Sequence, residues 1–263
     1  MMKTPVGLFY DPIQSRSNRL IKYIASIYMS VNSENIYTVM QREFYEREGS
    51  TGRMNQKNHR GHNANPDYWN ILVNDTANPS YKEKVGLDFG CGCGRNVQNM
   101  IRRFKRFDGV DISSKLVSQA KANVLKDGHD ESKFAVYTCS GVSLDVLKSD
   151  EYDFVMSTIT LNHICVHSIR FGYLKEFLRV LKPGGLLSFQ MGFGHVSRNS
   201  VDYYSDNYDA DTTNGGCDTR IDSPSQIIDD LTKVGFTQCT YDIRPPFDDH
   251  HQNWIFVKAT KPA

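Results

Sequence analysis

The first candidate for chemistry is a run of alternating glycines and cysteines at residues 87–96, LDFGCGCGRN. Cys91 and Cys93 could be metal ligands or redox groups, whereas glycines at this spacing would bring backbone close to a nucleotide. Two cysteines one residue apart cannot both reach one tetrahedral zinc without helpers, and the other four cysteines show no C-x-x-C spacing. We therefore interpret the stretch as a nucleotide-binding loop. Whether either cysteine, near a helix N-terminus, has a lowered pKa and is sensitive to oxidation stays open.

Two carboxylates accompany this loop. Asp88 precedes the first glycine, and Asp111 ends a second predicted strand 23 positions later. A carboxylate at about this spacing can accept hydrogen bonds from both hydroxyls of a ribose. Arg95 stands where the fingerprint G-x-G-x-x-G would have its last glycine, so a nicotinamide dinucleotide is the less expected ligand.

Histidines are the candidate proton acceptors. His163 and His167 follow the fourth predicted strand, on the side where a substrate would lie, and His163 is the better candidate for catalysis. Their i, i+4 spacing would also suit a metal pair on a helix, but no nearby residue completes a zinc set. A structural role for at least one of them is the alternative. We interpret the pair His250-His251 as a solvated turn, although it could face the site.

A polar segment at residues 192–223 is rich in Asp and Tyr and has almost no aliphatic side chains. Asp209 and Asp211 begin like a calcium loop, but neither the turn glycine nor the final Glu follows, so no metal is predicted. Two interpretations remain open. The segment is either an aromatic lid with Tyr203 and Tyr204 as substrate contacts, or a solvated surface loop.

These residues need elements that position them. From Val85 to Met191, short apolar runs alternate with amphipathic stretches, which is typical of a parallel sheet covered by helices. The predicted strands are 85–89, 107–112, 133–139, 152–158, 185–191, 238–244 and 253–260. The predicted helices begin near Arg95 and at 113, 172 and 223, and end at 128, 185 and 236 for the last three.

The N-terminal 84 residues lack this alternation. Helices are predicted at 18–31 and 35–48, followed by a polar loop at 49–66. Tyr68 and Trp69 then open a short apolar segment, which is either core or a substrate contact.

Composition limits the class of protein. A chain of 263 residues is long enough for one α/β domain with decorations, and a net charge of +1 argues against a strongly basic nucleic-acid surface. No apolar run approaches membrane-spanning length, and the N-terminus lacks a signal-peptide pattern, so the six cysteines are expected to be reduced. We expect a cytoplasmic monomer or homodimer that binds neither DNA nor a membrane.

Four motifs resemble, in order and spacing, those of class I S-adenosylmethionine-dependent methyltransferases. They are LDFGCGCGRN, GVDIS, EYDFVMST…LNHI and FLRVLKPGGLLSFQ, within residues 85–191, and DLTKVGF follows them. The resemblance implies a Rossmann-like, doubly wound, seven-stranded and mostly parallel sheet with an antiparallel last hairpin. Residues 1–84 would be an N-terminal helical cap, and 85–263 the core with 192–223 inserted after strand five.

The resemblance also implies a cofactor, S-adenosyl-L-methionine, with S-adenosyl-L-homocysteine as product. Asp88 would approach the methionine portion, Asp111 would bind the ribose hydroxyls and Ile112 would pack on the adenine. Ser157 and Thr158 would lie beside the sulfonium. The remaining implied cofactor contacts are Gly90, Cys91, Gly92, Gly94, Asn96, Ser113, Ser140, Gly141 and Val142. The acidic residue that the family often has near position 140 is absent, so Val142 or a backbone amide is expected to contact the adenine.

The expected reaction is methyl transfer to an oxygen or nitrogen of a small molecule. Such a displacement needs mainly close and aligned placement, and it needs a base only if the acceptor must lose a proton. Three alternatives remain: a non-catalytic or regulatory cofactor-binding scaffold of the same fold, a protein or RNA methyltransferase, and a nicotinamide-dependent oxidoreductase.

Overall fold

The computed structural model describes residues 36–51, 72, 79–196, 199–206, 217–245 and 251–263. Several predictions fall outside these residues: the helix at 18–31, Tyr68, Trp69, Asp209, Asp211 and His250. Within the described part of the chain, no helix combines the length and the apolar character needed to cross a membrane.

Nine strands are present in the described residues. They are β1 (Val85–Phe89), β2 (Arg106–Asp111), β3 (Val136–Thr138), β4 (Tyr152–Ser157), β5 (Leu181–Val196), β6 (Asn199–Asp202), β7 (Cys217–Arg220), β8 (Thr237–Arg244) and β9 (His251–Thr260). Seven of them form one sheet in the order β3-β2-β1-β4-β5-β9-β8, and β6 pairs with β7 separately. Strands β1 to β5 pair in parallel, whereas β9 is antiparallel to both β5 and β8. The predicted sheet and its antiparallel closing hairpin are confirmed.

Helices cover both faces of this sheet. The described helices are α1 (Ile36–Thr51), α2 (Arg95–Met100), α3 (Ser114–Lys126), α4 (His167–Val180) and α5 (Pro224–Val234). Alternate residues of one strand serve different cores, because successive side chains of a strand point to opposite faces. Val155 packs in the cluster that holds Phe177 of α4, whereas Met156 packs in the cluster that holds Met100 of α2. The sheet is therefore doubly wound, as expected.

Helix α3 follows the sequence pattern closely. Leu116, Ala120 and Val124 are its buried residues, and the Ser113 hydroxyl accepts a hydrogen bond of 3.2 Å from the Leu116 amide. A Ser cap before an apolar stripe of this period is the standard start of an amphipathic helix.

Some boundaries differ from the predicted ones. Helix α1 continues to Thr51, into the predicted polar loop. Helix α4 begins at His167, five residues before the predicted start at Gly172, so this glycine lies inside the helix. Strand β5 runs past Met191 because its antiparallel pairing with β9 continues to Val196.

Part of the described polar insertion is buried, so the interpretation as a wholly solvated loop does not hold. Tyr203, Cys217, Asp218 and Ile221 are all at most 6% exposed. Strand β7 lies against the end of β5 through a bridge between Phe193 and Ile221, so the insertion adds to the core at the carboxyl end of the sheet.

Candidate active site

A cavity of about 400 Å³ lies where β1, β2 and β4 end, and helix α1 covers it. Its walls include the glycine loop after β1, the end of β2 and residues 158–164 after β4. The carboxyl ends of parallel strands are where open α/β sheets bind ligands, because the connections diverge there.

The glycine loop brings backbone to this cavity. Gly90 has a φ of +75°, and a Cβ there would lie 2.2 Å from the Thr160 hydroxyl. Glycine is therefore required for both the conformation and the close approach. Gly94, also left-handed at φ +88°, caps α2.

Beneath the loop lies an incompletely satisfied polar pair. The Asn96 amide donates hydrogen bonds of 3.1 Å to Asp88 Oδ1 and 3.0 Å to the Thr158 hydroxyl. Asp88 Oδ2 and Asn96 Oδ1 are buried without a hydrogen-bond partner among the described residues. Burial raises the pKa of Asp88 to about 7, although the Asn96 bond and the charge of Arg95 oppose the rise. An unused carboxylate oxygen and an unused amide oxygen fit the ammonium group of an amino-acid portion of a ligand.

Asp111 stands on the other side of the loop. Its carboxylate accepts hydrogen bonds of 2.9 Å from the Gly92 amide and 2.9 Å from the Ser113 amide. Burial raises the pKa of Asp111, and these backbone bonds act in the opposite direction. A carboxylate has about four lone-pair positions, so two amide bonds leave capacity for ligand hydroxyls. Ile112 and Gly141 line the same end of the cavity.

The predicted contacts divide into two groups. Those that line the cavity are Gly90, Cys91, Gly92, Asn96, Asp111, Ile112, Gly141, Thr158 and His163. Those placed outside its lining are Asp88, Gly94, Ser113, Ser140, Val142, Ser157, His167, Tyr203 and Tyr204. Some of the second group support the first: the Ser157 hydroxyl, for example, donates a 3.1 Å bond to the Phe89 carbonyl.

Helix α1 contributes a face that no sequence motif marked. Its cavity-lining residues are Tyr37, Thr38, Gln41, Phe44, Tyr45 and Glu48. Their spacing of three and four residues is that of one helix face, and this periodicity is the signal that could have identified them. The face mixes aromatic rings with polar groups, which suits a ligand wall better than an apolar core.

Two sets of hydrogen bonds fasten α1 over the cavity. Near its C-terminal end, the Glu46 carboxylate accepts bonds of 2.6 Å and 2.8 Å from the amide and hydroxyl of Ser114, at the start of α3. Near its N-terminal end, the Tyr37 hydroxyl accepts a 2.7 Å bond from the Cys165 amide and donates to the His163 carbonyl at 3.2 Å. The helix thus connects the segments that follow β2 and β4.

The wall after β4 carries a cluster of ionisable groups centred on Asp218. Asp218 Oδ1 lies 2.6 Å from His163 Nδ1 and accepts a 3.1 Å bond from the Asn162 amide. Its Oδ2 lies 3.4 Å from His251 Nε2. All four residues line the cavity. Burial alone would raise the pKa of Asp218, but His163, His251 and Asn162 together lower it, so the carboxylate is charged near neutrality.

Sequence reasoning missed Asp218 and misjudged His251. Asp218 lies in β7 of the insertion, and His251 is the first residue of β9 and only 5% exposed. The interpretation of His251 as part of a solvated turn is therefore wrong: its ring is buried against Trp254, with 4.4 Å between ring centroids.

His167 and Tyr203 belong to a different cluster. Asp230 Oδ2 lies 2.7 Å from His167 Nε2 and accepts a 2.9 Å bond from the Tyr203 hydroxyl. Tyr204 packs edge-on against His167, with centroids 5.0 Å apart. These contacts join the insertion to α4 and α5, away from the cavity lining.

All six cysteines are free thiols, five of them buried. Burial raises the pKa of the Cys91 thiol well above its usual value, with the Asp111 and Asp88 charges adding to the rise. The thiolate that would be needed for redox reactivity is therefore disfavoured at Cys91. In the described part of the chain, no group of three or more His, Cys, Asp or Glu is arranged to hold a metal ion.

The comparisons with known proteins concern the same part of the chain. Residues 87–185 match the family model described as a methyltransferase domain. The matched range lies within a seven-stranded fold of the kind that class I S-adenosylmethionine-dependent methyltransferases have. The matched range contains the glycine loop, Asp111, Thr158 and His163, but not α1, Asp218 or His251.

Three relatives illustrate the similarity. An uncharacterized protein of Haemophilus influenzae is 30% identical over 33% of this chain and 34% of its own length. An S-adenosyl-L-methionine-dependent Diels-Alderase of a Neonectria species is 24% identical over 65% of each chain. The solved structure of Haemonchus contortus phosphoethanolamine N-methyltransferase 2, with phosphomonomethylethanolamine and S-adenosylhomocysteine, is 18% identical, with a TM-score of 0.56, and covers 74% of this chain and 53% of that one. The chain thus spans less than two thirds of each of these relatives.

Proposed function

We propose that this protein transfers a methyl group from S-adenosylmethionine to an oxygen or nitrogen of a small molecule and releases S-adenosylhomocysteine. The observation that carries the proposal is a single cavity whose wall holds both the glycine loop with Asp111 and His163 paired to a buried carboxylate. Methylation of a hydroxyl or amine needs a bound cofactor and a base that takes the proton, and both can be supplied by the wall of this one cavity.

In this proposal the chain's own residues hold the cofactor. The unpaired oxygens of Asp88, beneath the lining, and Asn96 would hold the ammonium of the methionine portion, and Asp111 would hold the ribose hydroxyls. Ile112 and Gly141 would contact the adenine, and Thr158 would contact the part of the cofactor that carries the methyl group. When bound, the cofactor supplies a methyl group on a good leaving group, so the protein mainly has to orient the acceptor and exclude water.

In this proposal His163 is the base that takes the proton from the hydroxyl or amine of the substrate. Its Nδ1 contacts Asp218, which leaves Nε2 as the ring nitrogen for the incoming proton. The cavity size and the cover of α1 favour a small acceptor over a folded protein or an RNA duplex. Among the described lining residues, Arg95 is the one lysine or arginine, so an uncharged acceptor fits better than a phosphorylated one. His167, Tyr203 and Tyr204 act as supports between the insertion and the helices.

The cytoplasm is the proposed compartment, because every cysteine of the chain is a free thiol, as expected where thiols stay reduced.

The test has two parts. Calorimetry should detect binding of S-adenosylhomocysteine and little binding of NADH. Incubation with methyl-labelled S-adenosylmethionine and a panel of small phenols, alcohols and amines should then yield a labelled acceptor and S-adenosylhomocysteine in equal amounts. Absence of S-adenosylhomocysteine binding would overturn the proposal.

A second candidate follows from the relative described as a Diels-Alderase, since a cycloaddition transfers no methyl group. The same incubation separates the two. Tight cofactor binding with product formed and no S-adenosylhomocysteine released would favour the cycloaddition and refute methyl transfer.

A further inference from the structure

Asp218 is a buried carboxylate that two imidazoles share. It is 1% exposed, and its two oxygens lie against His163, Asn162 and His251. A charge removed from water is stable only when it is paired and hydrogen-bonded; Asn162 donates a hydrogen bond to this carboxylate, and the two imidazoles lie within ion-pair distance of it. The carboxylate of Asp218 therefore lies beside two imidazoles that line the cavity, and the shorter contact is the one to His163.

The backbone around it is built to hold His251 in contact with Asp218. An ideal Cβ on Gly192 would lie 2.1 Å from His251 Nδ1, so the ring of His251 occupies the space that any other residue at 192 would fill. Trp254 closes the other side of the ring. Strands β5 and β9 pair Gly192 with Trp254, so the sheet itself fixes this pocket for the imidazole.

His163 is held equally firmly from the opposite direction. Its carbonyl accepts 3.2 Å bonds from the Tyr37 hydroxyl and from the Gln41 amide, both on α1. The main chain of His163 is thus fixed by α1, and its side chain is oriented by Asp218 on β7 of the insertion. Both fixing elements lie outside the matched methyltransferase range.

We propose that Asp218, held by His251 and Asn162, is a positioning residue that keeps neutral His163 in the tautomer with its proton on Nδ1. This inference rests on the proposed function. A carboxylate on Nδ1 of a histidine leaves Nε2 unprotonated and stabilises the imidazolium that forms when Nε2 takes a proton.

The step that this arrangement serves is balanced. The acceptor oxygen or nitrogen forms a bond to the methyl carbon, and the carbon–sulfur bond breaks with its electron pair left on sulfur. The acceptor proton moves to His163 Nε2. The imidazolium and the Asp218 carboxylate then form an ion pair inside the cavity, and solvent later removes the proton.

The test is the protonation pattern of the imidazole nitrogens, measured by long-range ¹H–¹⁵N NMR on the full chain labelled at histidine. Signals are assigned with His163→Gln and His251→Gln. When both rings are neutral, His163 should show the Nδ1–H form and His251 the Nε2–H form. Asp218→Asn should abolish the preference at His163. His167→Gln, whose partner Asp230 lies outside the cavity lining, is the matched control and should leave the His163 signals unmoved.

Wild-type protein with the proton on Nε2 of His163, or an unchanged His163 in Asp218→Asn, would overturn the inference. The wild-type spectrum decides the matter even if a variant does not fold. Calorimetry with S-adenosylhomocysteine on the same sample separates the role of Asp218 from the proposed function on which it rests. Intact binding with the wrong tautomer removes only the role of Asp218, whereas lost binding removes the proposed function itself.

Discussion

We predict that the hydroxyl of Tyr37 holds α1 over the cavity. Tyr37 is 1% exposed, and its hydroxyl meets three groups: the Cys165 amide at 2.7 Å, the Gln41 amide at 2.9 Å and the His163 carbonyl at 3.2 Å. Tyr37→Phe keeps the ring and its packing but leaves the buried Cys165 amide without this acceptor. An unsatisfied buried donor costs about 1–3 kcal/mol, so the free energy of unfolding should fall by about that amount.

The assay is urea denaturation of wild type and variant, with hydrogen exchange at the Cys165 amide as a local readout. Tyr45→Phe is the matched control, because it removes the same hydroxyl group from the same helix without touching the bonds to Cys165, Gln41 and His163. It should change stability by less than about 0.5 kcal/mol. If Tyr37→Phe were as stable as Tyr45→Phe, and Cys165 kept its protection, the hydroxyl would not fasten α1 and the reasoning would be refuted.

Three further predictions concern the cofactor end of the cavity. Because burial raises the pKa of Asp88 to about 7, this carboxyl group is mostly protonated at pH 6, and binding of a cofactor ammonium there should release a proton. Calorimetry in two buffers of different ionisation enthalpy should detect this release in wild type but not in Asp88→Asn. Equal proton release in both proteins would contradict the assignment. Asp111→Ala removes charged hydrogen bonds of about 1.5–3 kcal/mol, so S-adenosylhomocysteine should bind at least about tenfold more weakly, and unchanged affinity would remove the ribose assignment. Replacing Cys91 and Cys93 together by serine should change the affinity for S-adenosylhomocysteine by less than about threefold. The free energy of unfolding should fall, because a hydroxyl replaces a buried thiol at each position. Lost binding in a folded variant would show that the sulfur atoms are needed.

The end of the cavity that holds the glycine loop and Asp111 was predictable because its signals are local. The glycine loop follows a strand directly, Asp111 ends the next strand, and the cap of α3 follows two residues later, so neighbouring residues determine each feature. The fold followed from the same alternation of strand and helix, since parallel strands need crossover helices.

The wall that holds His163, Asp218 and His251 was not predictable from local patterns. His163, Asp218 and His251 are far apart in sequence, and they meet only because β9 inserts between β5 and β8 and the insertion returns to the end of β5. Asp218 stands in a segment whose polar composition is typical of a surface loop. Its burial depends on two imidazoles from other elements, and no periodicity within the segment records that dependence.

A crystal structure with S-adenosylhomocysteine bound tests the central claim most directly, because it locates the transferred position relative to every proposed residue. We expect the ribose hydroxyls on Asp111, the adenine between Ile112 and Gly141, and the sulfur facing the part of the cavity that holds His163. A cofactor bound elsewhere, or one whose sulfur faces away from His163, would contradict the assignment of this cavity as a methyl-transfer site.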